Sequence, residues 1–142
     1  MASTARSHPT TSRASLEGRE RAVGVLEGLL AVGAAAGAWG LISGSLDTSS
    51  FEHRLPFHSP ALGGVALALL VAVPAIVALV ATIGRRSWAP AAAVVSGALL
   101  IGWIAVQVVV IGPTSVLQPL MFAWGCALLA LGARERLARR RG

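Results

Sequence analysis

Charge is what this sequence has least of. Only 13% of its 142 residues are charged, where soluble domains carry about a quarter. The charges also avoid four tracts almost completely: 22–43, 61–83, 91–111 and 117–133. A helix facing water needs a polar stripe, and these tracts have none, which excludes a soluble helical bundle. A helix of about 20 apolar residues crosses a hydrocarbon core of roughly 30 Å. The first three tracts reach that length. The fourth sits at the lower end of the usual range, with Pro119 placed for a first helical turn. The expected fold is therefore all-α, a four-transmembrane-helix bundle.

Lysine is absent and cysteine nearly so. The formal charge of +6 is carried by twelve arginines. All but Arg54 lie before the first tract, between the second and third, or after the fourth. That asymmetry follows the positive-inside rule and predicts both termini in the cytoplasm, with loops 44–60 and 112–116 outside. The terminal ARERLARRRG reads as a basic tail held to anionic headgroups, at about 1 kcal/mol per arginine. The partner it implies is the lipid bilayer and not nucleic acid. Cys126 stands alone, so a thiol oxidoreductase that needs paired cysteines is excluded, and small core packing is its expected role.

Catalytic signatures are missing too. There is no HExxH, no Walker loop and no GxSxG, and His53 with His58 makes only a weak metal pair. No enzyme, metal or cofactor is expected. The first apolar tract is too long for a signal peptide and three more follow, so it reads as an uncleaved span of a plasma-membrane protein. Residues 1–14 are expected to be a disordered basic tail, 15–134 the transmembrane domain and 135–142 a second basic tail.

What the sequence does have, in quantity, is glycine. In the first tract Gly24 and Gly28 fall on one helix face, and Gly33, Gly37 and Gly40 on nearly the opposite one. Glycine lets helices approach closely where lipid offers no hydrophobic gain. Two such faces predict packing against the chain's own bundle and against a second copy or another membrane protein. Pro74, near the middle of the second tract, predicts a kink. Trp88, in the short loop GRRSWAP, is placed as an interface anchor.

Polar residues inside the tracts are few enough to weigh singly. Glu27 is the only carboxylate within a span. An ionisable group there marks a functional site by default, with Arg21, Arg85, Arg86 or Arg134 as expected partners, and a coupling role requires it to exchange a proton. One glutamate in the first of four helices is similar to small multidrug exporters, although the flanking residues and the tryptophan positions differ. Trp103 and Gln107 share a face of the third helix, and Gln118 begins the fourth. Two readings fit the amides. They clip helices three and four together, or with Trp39 they line an outward pocket capped by the His53–Arg54 loop.

The runs LPFHSPALGGVALALL, RRSWA, GWIAVQVVVIG and LQPLMFAWG resemble a family of small bacterial four-helix membrane proteins. Its W-x-x-x-Q in helix three is matched by Trp103 and Gln107, and its L-Q-P before helix four by Leu117, Gln118 and Pro119. The second helix departs, with SPALGG where the family more often has aspartate or tyrosine and then Pro-Gly. The likeness spans roughly residues 40–130. It implies the four-helix topology and gives weight to Gln107 and Gln118, and it implies no activity. The expected function is a non-catalytic accessory or scaffold component acting through helix contacts. The alternative is a small homo-oligomeric transporter or channel with Glu27 as coupling carboxylate.

Overall fold

Each apolar tract is a helix, and the helices run further than the tracts. The computed structural model of the chain describes residues 10–47, 59–113 and 116–141. They form α1 (Thr10–Ser43), α2 (Pro60–Leu67), a π-helical turn (Ala68–Ala72), α3 (Val73–Ile83), α4 (Ala89–Ile111) and α5 (Leu117–Arg141). α2, the π turn and α3 make one continuous rod. The described residues thus hold four helices long and apolar enough to cross a membrane: Glu17–Ser43, Pro60–Ile83, Ala89–Ile111 and Leu117–Arg141.

The surface is what a bilayer requires. Only 33% of the apolar window is buried in the first two spans and 22% in the last two. Much of the exposed remainder is Val, Leu and Ile, with Val32 at 72%, Ile83 at 73% and Val109 at 85% exposure. Patches this large and apolar belong against lipid or another protein.

Both ends of the chain differ from expectation. α1 takes in residues 10–14, expected to be disordered, and residues 1–9 lie outside the described ones. α5 continues through most of the presumed tail to Arg141. The reason is local: residues 133–141 contain no helix breaker, Glu135 and Arg139 pair at i,i+4, and three arginines end the helix where its dipole favours cations. α1 stops at Gly44, whose φ of 70° takes the left-handed conformation, while the Ser45 N–H closes on the Gly40 carbonyl at 3.1 Å.

Pro74 does perturb its helix, one turn earlier in the chain. Its ring cannot donate to the carbonyl four residues back and crowds it. The preceding residues widen into the π turn, and the Val73 N–H bonds the Ala68 carbonyl five residues back. Such single turns absorb a local misfit without breaking the rod.

The tightest packing is between α4 and α5. A Cβ added to Gly97 would lie 2.7 Å from the Gly125 carbonyl oxygen, and one on Gly132 would lie 2.9 Å from that of Pro90. Backbones this close admit only glycine. The first rod and α1 meet in the same way at Gly64, where a Cβ would stand 2.8 Å from the Ala38 carbonyl. None of the glycines expected to pack α1 meets another backbone. Gly24 and Gly28 face Thr82 and Leu79 at ordinary contact distance, Gly37 faces Leu67 at 3.3 Å, and Gly40 turns against Leu46 of its own loop. Gly33 has nothing within 4 Å. The core between the four spans is built from Leu30, Ala34, Val71, Ala75, Leu100 and Leu128, among others.

Candidate functional site

Glu27 is fully buried, at 0% exposure. Its helix needs no special residue to hold it there: Val23, Leu30, Ala31 and Ala34 are buried on the same α1 face. None of the expected arginines partners it. Ser96 of α4 does, its Oγ donating to Glu27 Oε2 at 2.9 Å. Glu27 Oε1 has no hydrogen-bond partner. Burying a carboxylate oxygen without a donor costs stability, about 1–3 kcal/mol or more, so the bundle retains it at a price in free energy.

Two spaces flank this contact. On the side of the chain termini, a vestibule of about 220 Å³ is lined by Glu17, Glu20, Arg21, Gly24, Thr82 and Arg85. On the opposite side, towards the hairpins, a cavity of about 370 Å³ lies between α1, α4, α5 and the first rod. Gly24, one turn before Glu27, lines the vestibule, and Leu30, one turn after it, lines the cavity. Along α1, Glu27 thus lies between the two and lines neither.

The cavity brings together Trp103, Gln107 and a residue that sequence reasoning missed, Trp124. Both indole Nε1 atoms are buried and have no acceptor. Leu29 and Gly33 on α1 and Leu117 at the start of α5 line the cavity and are also exposed, so it opens at the α1 edge and beside the start of α5. The π turn supplies Val71 to its wall. Trp39, expected in such a pocket, is 71% exposed and does not line it. His53 and Arg54, expected to cap it, lie outside the described residues.

Gln118 is elsewhere. Its Nε2 donates to the Gly112 carbonyl at 3.1 Å, closing the α4–α5 connection, and it borders an open groove with Val109, Pro113 and Phe122. The two amides do not share a role: Gln118 ties α5 to the end of α4, while Gln107 faces the cavity.

At the terminal end, Arg139 joins α1 to α5. It donates to Glu135 Oε1 at 2.6 Å and to Glu20 Oε1 at 3.0 Å. Glu135 is 4% exposed, a buried carboxylate that the basic tail concealed from sequence reasoning. Arg85, on the vestibule wall, has a positive φ of 48°, an uncommon conformation for a residue with a Cβ. Among the described residues no cluster of three His, Cys, Asp or Glu is placed to hold a metal ion.

No protein-family model, curated protein or solved structure matches the chain.

Proposed function

We propose that the chain is a multi-pass integral membrane protein that moves a small molecule across a bacterial plasma membrane, with Glu27 as the coupling carboxylate. The observation that carries this reading is the position of Glu27, fully buried and half unpaired between a vestibule and a cavity. A buried carboxylate with no structural ion pair, about one helical turn from the lining of each space, is suited to exchange a proton or a ligand between them. The arginines of the described termini and of the loop at 84–88 gather at the vestibule end, which supports a cytoplasmic assignment for that end. A pathway through four helices calls for a homo-oligomer. The reading is non-enzymatic.

Reconstituted protein on a solid-supported membrane tests it. Addition of small molecules from a chemically diverse panel is expected to raise transient currents with some of them, and Glu27→Gln is expected to abolish these while leaving the folded yield unchanged. Identical responses from wild type and E27Q across the panel would sink the reading.

A second reading has its own support. α1 presents Val25, Leu29, Val32 and Trp39 outwards beside the open Gly33, a face suited to another helix in an accessory or scaffold role. Native mass spectrometry of gently extracted protein decides between them: a stoichiometric foreign subunit favours the scaffold, and a homo-oligomer alone favours transport.

A further inference from the structure

The cavity's own wall defines what fits it. We infer that it is a binding site for a neutral lipophile carrying carbonyl or ester oxygens, which enters from the bilayer beside Gly33. This names the substrate class of the proposed transporter and rests on that reading only for the idea that the ligand is transported.

Four observations support it. The wall is apolar apart from Gln107 and two indoles, and no charged side chain lines it. The polar groups it does have are short of acceptors. Trp103 Nε1 and Trp124 Nε1 are buried donors with no partner. The Gln107 side chain makes no hydrogen bond among the described residues, and it offers two N–H donors against one carbonyl oxygen. Donors therefore outnumber acceptors, and a ligand that supplies oxygens relieves groups which otherwise lie unsatisfied in an apolar bundle. Lastly, the mouth faces outward among exposed Leu29 and Gly33, whose surroundings are apolar, so the ligand reaches it through lipid. A volume of about 370 Å³ lies in the range of ordinary small-molecule sites.

A cation is the competing ligand, because indole faces also attract positive charge. The donor excess opposes it: three N–H-bearing side chains line the cavity, and among the described residues no carboxylate does.

The test reads tryptophan quenching in lipid nanodiscs. Trp39 and Trp88, both exposed, are replaced by phenylalanine, which leaves Trp103 and Trp124 as reporters. Three probes share one brominated chain: methyl 9,10-dibromostearate, 9,10-dibromooctadecane and a dibrominated octadecyltrimethylammonium. The ester is expected to quench saturably, at a mole fraction about tenfold lower than the hydrocarbon, the order produced by one or two net hydrogen bonds. Gln107→Leu is expected to narrow that gap to about threefold. Gly33→Phe is expected to leave only the linear quenching of a probe dissolved in the bilayer, since a Cβ at this position meets nothing within 4 Å and the ring fills the mouth.

Equal half-saturation by ester and hydrocarbon overturns the proposal. So does tighter binding of the ammonium probe, or saturable quenching that survives both Gly33→Phe and Gln107→Leu. Nanodiscs made from dibrominated phosphatidylcholine distinguish the source of the oxygens. Reporters already quenched there, and relieved by Gly33→Phe, place a bilayer lipid's ester in the site; reporters quenched only by added ester place a free lipophile in it. Binding is read at equilibrium with no gradient. Ester preference without transport discards the transport reading and keeps the site, whereas transport without ester preference discards the ligand class alone.

Discussion

Substituting Gly125 by alanine and Gly33 by alanine adds the same methyl group to two apolar helices, and the consequences are expected to be opposite. At Gly125 the new Cβ would lie 2.8 Å from Ile101 Cγ1 and 3.0 Å from the Gly97 carbonyl oxygen. Ile101 has some freedom to move, but the carbonyl belongs to the α4 backbone. Restoring an ordinary contact of about 3.4 Å parts α4 and α5 by roughly 0.4 Å at that level. A gap approaching 0.5–1 Å forfeits about a quarter of the attraction between the atoms lining it. In a bilayer that attraction is most of what holds two helices together. Overpacking of this size costs about 1–3 kcal/mol. At Gly33 the methyl meets nothing within 4 Å, and replacing glycine in a helix then gains up to about 1 kcal/mol. Reversible unfolding in mixed micelles of mild detergent and dodecyl sulfate, followed by tryptophan fluorescence, measures both. Gly125→Ala should lower the midpoint and Gly33→Ala should leave it level or raise it. If the two variants shift the midpoint alike, the helix contacts drawn here are wrong.

The remaining expectations follow from single polar contacts. Ser96→Ala removes the one donor to Glu27 and is expected to cost about 1–3 kcal/mol; a double-mutant cycle with Glu27→Gln should show coupling well above 0.5 kcal/mol, and strict additivity would contradict the contact. Arg139→Ala leaves Glu135, 4% exposed, without its cation and is expected to cost about 2–4 kcal/mol. Glu20→Ala removes only the partly exposed pair and should cost at most about 1 kcal/mol by the same unfolding assay. Gln118→Leu forfeits the bond to the Gly112 carbonyl, about 0.6 kcal/mol in a bundle of this kind; Gln107→Leu, which breaks no bond, should be neutral in stability, and the reverse order would mean that the amides have been assigned the wrong roles.

The spans were legible because the charge pattern alone specifies them: no charged residue interrupts 61–83 or 91–111, and the helices there begin and end within two residues of those limits. The helix ends were not. Arginine reads as tail in composition, yet Glu135 four residues before Arg139 makes a helical pair, and its burial depends on Glu20 and α1 arriving from the far end of the chain. The glycines show the same limit. GVLEG and GAAAG stand out as motifs, but which glycine touches backbone depends on helix rotation. The closest approaches to the backbone of another helix fall at Gly64, Gly97, Gly125 and Gly132 instead. The spacing of Gly125 and Gly132, a heptad apart on α5 and so on one face, was the available signal. Glu27 was recognisable as the lone carboxylate of a span. Its partner was not, because a serine in an alanine-rich helix looks like one more small residue. Trp124 was missed because nothing in an apolar tract tells which way an indole near its middle faces.

These contacts also explain why a cavity exists in so small a bundle. Glycine draws α4 against α5 along Gly97, Gly125 and Gly132, and draws α1 against the first rod at Gly64. The chain thus folds as two tight pairs. Between the pairs the polar ties sit towards the terminal half, with Arg139 reaching Glu20 and Ser96 reaching Glu27. Beyond Glu27 the α1 side chains buried in the bundle, Leu30, Ala31, Ala34 and Ala38, are all apolar. The residues facing one another there are Trp103, Met121 and Trp124 against Gly33, Ala34 and Gly37. Small side chains on one wall leave space that the bulky, rigid indoles of the other do not fill, and close-packed interiors tolerate few such voids unless something occupies them. Loose packing, three donor-bearing side chains and an opening to lipid coincide in one place. A site that merely held helices together would have no need of the space.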